Sequence, residues 1–269
     1  MRIGRYTTLR LLFLVMLSVA WPSLAAPPDT LPDGGSGTVA IVMDGDSFRL
    51  KGIDADVRLL GIQAPKLPKG RAGFKPWPLG DQARAALTAL VKSHQVTLRL
   101  GSTPRDRNRR ILAHAVRDDG VWLQTELLRQ GWVRVYTFPD NRQFAGELFA
   151  AEREARADRR GIWAHSAYAV RPAEPARLAS DVGTFQIVEG KVANAAKVRG
   201  RVYLNFGADY LTDVTATIPP DALPLFTKAK FDPLTLAGKT IRVRGYVRSY
   251  NGPVIDITHP EQIEVDGVP

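Results

Sequence analysis

Cysteine is absent from all 269 residues, which excludes disulfide staples, thiolate chemistry and any metal held by sulfur. Histidine is scarce: His94, His114, His165 and His259 are scattered with no pair at metal-ligand spacing, and each reads as a surface or core residue. Beyond the first 25 residues no apolar run is long enough to span a bilayer, so the mature chain is expected to have no membrane span.

The chain opens with Arg2, Arg5 and Arg10, no acid, then the apolar run Leu11 to Ala20 and the small-x-small step Ser23-Leu24-Ala25. This is the pattern of a secretory signal peptide, too short for a membrane span and broken by Trp21-Pro22. Residues 1–25 are expected to be removed on export to the periplasm or beyond. No cysteine follows the run, so a lipid anchor is not expected.

Charge is placed unevenly. Residues 36–170 hold 22 Lys+Arg against 14 Asp+Glu, whereas residues 180–269 hold 10 against 10. Attraction for a polyanion therefore belongs to the first half, although a basic surface also serves solubility. Residues 26–37, rich in Pro, Asp, Gly and Ser, read as a flexible leader. From Thr38 the pattern is β, with a turn at Asp44-Gly45 and strands through Leu50 and over 57–62. Helical spacing of Ala85, Leu87, Leu90 and Val91 follows, then strands over 96–100 and 111–116 and helices over 122–129 and 142–159. Two prolines at 172 and 175 mark a linker over 169–182. Beyond it, strands over 184–192, 201–206 and 213–218 precede a short helix and a hairpin closed by Asn251-Gly252.

Within this frame, Asp44-Gly45-Asp46-Ser47 precedes Arg58-Leu59-Leu60-Gly61-Ile62-Gln63-Ala64-Pro65-Lys66 and Asp106-Arg107-Asn108-Arg109-Arg110. Asp-Gly alone is an ordinary tight turn, and either arginine alone reads as a surface ion pair. Together, the three segments resemble the active-site skeleton of the thermonuclease (staphylococcal nuclease-like) family. The resemblance implies a five-stranded OB-type barrel with three helices over residues 38–168. It also implies calcium held by the Asp-Gly-Asp carboxylates and a second Asp, two phosphate-clamping arginines at the positions of Arg58 and Arg110, and a Glu acting on the attacking water. Residues 183–269 repeat an OB-like strand order, so the expected fold class is mainly β with helices (α+β), two small barrels in tandem.

This chain departs from that pattern twice. Gln63 stands where the family has the ligating Asp, which lowers the charge available to a metal and makes calcium at Asp44, Asp46 and Gln63 weakly bound. Lys66 stands where the family has Glu, and an ammonium has three donors and no acceptor for a water proton. The reading is a cluster of Arg58, Lys66 and Arg110 that binds nucleic-acid backbone, with hydrolysis weakened, altered or lost. The alternatives are a metal-dependent nuclease using Asp44, Asp54 or Asp56 as substitute carboxylates, and an envelope scaffold.

The loop after Lys66 adds Lys69, Arg71 and Lys75 with Phe74 and Trp77, a mixture that suits single-stranded nucleic acid, DNA or RNA; rings packing the loop onto the barrel account for it equally well. Tyr136 and Phe138 lie where the family supplies aromatic contacts to a nucleotide, though Tyr136 also reads as core. In the second domain, Arg242, Arg244, Tyr246 and Arg248 alternate onto one strand face, and Arg201, Tyr203 and Asn205 repeat the pattern. Adjoining faces form a basic, aromatic platform; any solvated strand shows the same alternation.

Overall fold

The computed structural model describes residues 28–68, 70, 73–209 and 211–265. The leader sequence 1–25 lies outside them, as do Lys69 and Arg71.

The first domain comprises β1 (Asp33–Asp44), β2 (Ser47–Leu50), β3 (Asp56–Leu59), β4 (Ile62–Gln63), α1 (Gly80–Val91), β5 (Gln95–Arg105), β6 (Ile111–Arg117), α2 (Leu123–Arg129), β7 (Arg134–Val135) and α3 (Ala145–Ala157). Five of these strands close a barrel in the order β1-β2-β3-β6-β5. β1 closes it by serving two neighbours: Asp33 to Thr38 pair with β5, and Val39 to Asp44 pair with β2. Residues 33–37, expected as flexible leader, are therefore strand. α1 covers one side through Ala83, Leu87 and Val91, which recur at helical spacing and are buried in a core with Phe48, Leu50 and Leu98.

The second domain repeats this strand order in an open sheet. β8 (Arg171–Pro172) and α4 (Pro175–Leu178) lead into β9 (Phe185–Lys191), β10 (Asn194–Val198), β11 (Arg201–Asn205), β12 (Thr215–Ile218), α5 (Leu223–Lys228), β13 (Thr240–Ser249), β14 (Pro253–Asp256) and β15 (Ile263–Val265). The sheet runs β10-β11-β12-β14-β13-β9. β9 and β10 follow one another in the chain and stand on opposite sides of this run, with β8 beyond β9 at the edge, as the two halves of β1 stand in the first barrel. Each domain also has a single parallel pair in its barrel path at the same place, β3 with β6 and β12 with β14. A closed OB-type barrel is thus followed by a second, OB-like domain. The expected linker is ordered: β8 pairs in parallel with β9, and Leu178 of α4 is buried in the second core. The Asn251-Gly252 turn has φ of 49° and 96°, a left-handed pair that Asn and Gly tolerate best.

No helix among the described residues is long and apolar enough to cross a membrane. Two polar arrays join the domains. Arg134, opposite Gln63 in the small β4–β7 ladder, donates to the Phe185 carbonyl at 3.1 Å and lies over the Phe185 ring, 4.4 Å from its centroid. Arg244 reaches from β13 to the Val135 carbonyl at 2.9 Å and to Glu152 at 2.9 Å, and it also pairs with Glu264.

Candidate active site and its link to the second domain

The site is built on the β1–β2 turn. Asp44 ends β1 and pairs across the turn with Ser47, and Gly45 fills the corner because a side chain there has no room: a Cβ would stand 2.7 Å from the Ala83 Cβ and 2.8 Å from the Ala64 Cβ. The turn is thereby pressed between α1 and the segment after β4, and both of its carboxylates are buried.

Burial makes a carboxylate costly unless it is paired, and the pairing here is dense. Asp46 Oδ2 accepts from the Ala64 N–H at 2.7 Å and from Lys66 Nζ at 2.7 Å, and it contacts Arg58 Nη1. Arg58 is fixed further by Nη2 donating to the Ile62 carbonyl at 2.8 Å. Asp44 Oδ1 accepts from Ser47 Oγ at 2.5 Å and from the Asp46 N–H at 3.2 Å, and Asp44 Oδ2 lies 4.0 Å from Lys66 Nζ. Burial alone would raise the pKa of Asp46, but Arg58 and Lys66 outweigh it and hold the carboxyl far below its ordinary value. Lys66 is pushed down to about 8, by burial first and then by Arg58, against the pull of Asp46 and Asp44. It remains an ammonium at neutral pH.

Each of the three cations expected to bind phosphate has a carboxylate partner in the fold. Arg58 and Lys66 are engaged by Asp46, so this inner cluster is nearly neutral. Arg110, in the β5–β6 loop beside the strand that pairs with β3, is held by Asp106 through Nε and Nη2, both at 2.7 Å. Its side chain is about one-third exposed, the most accessible of the three cations. Asp56, a proposed substitute carboxylate, pairs with Arg49 at 2.6 Å.

Gln63 is corrected as well. Its Oε1 accepts from Arg134 Nε at 3.1 Å and Nη2 at 2.8 Å, so the carbonyl serves the domain junction and not a cation beside Asp46. A divalent calcium ion needs six to eight oxygens. The Asp46 Oδ2 lone pairs are taken, the Gln63 oxygen is taken, and the Lys66 ammonium stands between the two aspartates. As arranged, these residues do not fit the metal. Asp46 Oδ1 is the exception, buried without a hydrogen-bond partner. Elsewhere among the described residues, ligand atoms of His94, Asp118 and Asp119 lie within 4.8 Å of one another, a grouping that the sequence did not reveal.

Tyr136 follows β7, donates its backbone N–H to the Gly61 carbonyl at 2.8 Å and faces the junction, with its ring 4.9 Å from Phe138 and 5.0 Å from Phe185. Arg134, Glu152 and Arg244 were not singled out by spacing as buried junction residues. Alternation along β13 put Arg244 on an outward face, which is correct for the strand and incomplete for the molecule, since the first domain covers it.

An OB barrel with a buried carboxylate pair at its first turn, arginines on the third strand and in the loop before the last strand, defines the class of this domain. A family model described as staphylococcal nuclease homologue matches residues 56–165, most of the first domain, and it is this domain that is similar to that family. The match takes in Arg58, Gln63, Lys66, Arg110 and Tyr136, while Asp44 and Asp46 precede it. Endonuclease YncB of Bacillus subtilis (strain 168) is 30% identical over 135 residues, 49% of this chain and 63% of that protein. Endonuclease YhcR of the same organism is 27% identical over 170 residues, 60% of this chain and 14% of that protein. A probable staphylococcal-like nuclease, CAN1 of Oryza sativa subsp. japonica, is 32% identical over 119 residues, 44% of this chain and 30% of that protein. The chain thus spans less than two thirds of the length of each relative.

Proposed function

We propose that the first domain binds the phosphodiester backbone of nucleic acid and that its own hydrolytic activity is weak or absent. One observation carries the second half: the Lys66 ammonium, 2.7 Å from Asp46, occupies the place between two buried aspartates where the family pattern puts a metal, and it replaces the family's acceptor for a water proton. Any calcium must first displace Lys66, so calcium binding is weak. The first half is supported by the family match over residues 56–165, the basic excess of residues 36–170 and the accessible Arg110. Arg110 is the cation that phosphate reaches most directly, its side chain being 32% exposed. Arg58 exchanges Asp46 for phosphate less readily. The endonuclease names of the relatives favour a second reading, a working nuclease whose Lys66 swings away when substrate arrives.

The test is fluorescence anisotropy with labelled single-stranded oligonucleotide. Binding is expected to weaken steeply with salt, since each phosphate neutralised releases counterions, and Arg58→Ala with Arg110→Ala is expected to flatten that slope and lower affinity at least tenfold. Unchanged affinity in the double variant removes these arginines from the binding site. The same proposal places the protein outside the cytoplasm, on the leader pattern of residues 1–25. A natively expressed chain whose N-terminus by mass spectrometry is at or near Ala26 supports this, and an intact Met1 terminus opposes it.

A further inference from the structure

Two concave surfaces outside the carboxylate cluster share a residue. The first is a cleft of about 350 Å³ between the domains, lined by Tyr136, Phe138, Phe185, Tyr246 and Arg248 among others. The second is a groove of about 720 Å³ on the second barrel, lined by Arg201, Tyr203, Asn205, Thr217, Arg248 and Tyr250 among others. Arg248 belongs to both, so the two surfaces meet at its side chain.

From these observations we infer a single-strand nucleic-acid track that leaves the first-domain site beside Tyr136, crosses the junction cleft and runs along β11 and β12 of the second barrel. It rests on the proposed nucleic-acid binding of the first domain and extends it to a second site. The near end is placed by backbone: Arg58 holds the Ile62 carbonyl, Ile62 pairs with Val135, and Tyr136 is next. The cleft is then paved with rings in edge-to-face contact, Phe138 to Tyr136 at 4.9 Å, Tyr136 to Phe185 at 5.0 Å and Phe185 to Tyr246 at 5.7 Å. Phe138 is 40% and Tyr246 45% exposed, and Tyr250 at the far end is 73% exposed. Exposed rings on a concave path are costly in water and suit stacking by bases.

Charge selects the ligand. The lining of the groove holds two arginines and no carboxylate. Arg201 bonds the Thr217 hydroxyl at 3.3 Å, which in turn donates to Asp256 at 2.8 Å, and Arg248 is paired with Asp256. This is a site for a polyanion with stackable rings, although the domain as a whole is neutral. Position agrees: the groove uses the second and third barrel strands and the β13–β14 loop, the face by which OB barrels take oligomers, and Arg58 and Arg110 occupy the corresponding third strand and loop of the first barrel.

The experiment uses the full mature chain and fluorescein-labelled oligothymidylates, short and long. Tyr203→Ala with Tyr250→Ala is expected to weaken binding of the long strand about tenfold or more, whereas the short strand loses less. Ultraviolet crosslinking should attach the long strand to peptides containing Tyr246 or Tyr250. Melting temperature serves as the folding control, and Tyr250→Ala alone is a second variant at a highly exposed position. Long-strand affinity within twofold of the unaltered protein in both variants, without crosslinks to the second domain, overturns the track. If Arg58→Ala with Arg110→Ala then still lowers affinity, first-domain binding stands without it. No binding of any strand overturns both, and capture of an oligosaccharide or peptide in its place reassigns the groove.

Discussion

Gln63→Asp together with Lys66→Glu is expected to raise calcium-dependent cleavage of denatured DNA or RNA from near background by about 10² to 10⁴, the range that a positioned general base contributes. Lys66→Glu removes the ammonium from Asp46 Oδ2 and from the neighbourhood of Asp44, and it supplies an acceptor where the chain now has only donors. Gln63→Asp restores a charge, but the structure shows a competitor: Arg134 donates two N–H groups to residue 63, so the new carboxylate is drawn toward the junction. Gln63→Asp alone is therefore expected to do little, and Lys66→Glu alone to give a smaller gain than the pair. Cleavage is followed on plasmid and denatured RNA with Ca²⁺, Mg²⁺ or Mn²⁺, and metal affinity by calorimetry. A double variant that folds, binds nucleic acid and still fails to bind calcium would falsify the argument that Lys66 and Gln63 close the site. Robust metal-dependent cleavage by the unaltered protein, abolished by Asp46→Ala, would establish the second reading.

Arg244→Met is expected to cost about 3–5 kcal/mol of stability, because it strands a buried partner. Glu152 is fully buried, and Arg244 meets it with both terminal nitrogens while its guanidinium lies 4.5 Å from the Phe149 ring centroid. Burial alone would lower the pKa of Arg244, but Glu152 and Glu264 outweigh it and raise it above its ordinary value. Without Arg244, Glu152 keeps Arg156 at 3.4 Å and the Val135 N–H, too little for a charge with no water. Differential scanning calorimetry should show a lower first transition and a split between the domains, since the array crosses their junction. Glu152→Gln added to Arg244→Met should recover part of the loss. A cost below about 1 kcal/mol would mean that water or Arg156 compensates fully.

Much of this protein was determined by local pattern. Alternation and turn chemistry located the barrel strands of the first domain, and Asn251-Gly252 marked the last hairpin, because period and positive φ are properties of neighbouring residues. The strand β10 was missed, since Asn194 to Val198 is short, largely exposed and without a buried face to give it a pattern. The spacing of Asp44, Asp46, Arg58 and Arg110 was enough to point to the family whose model matches the first domain, and residue chemistry alone showed that Lys66 has no acceptor. What only the tertiary structure decided is where each polar group spends its hydrogen bonds. Gln63 faces Arg134, 71 residues away in sequence, and Glu152 faces Arg244, 92 residues away. Such pairings have no local signature: burial by a second domain, not the alternation of one strand, sets which charge must be neutralised and by whom.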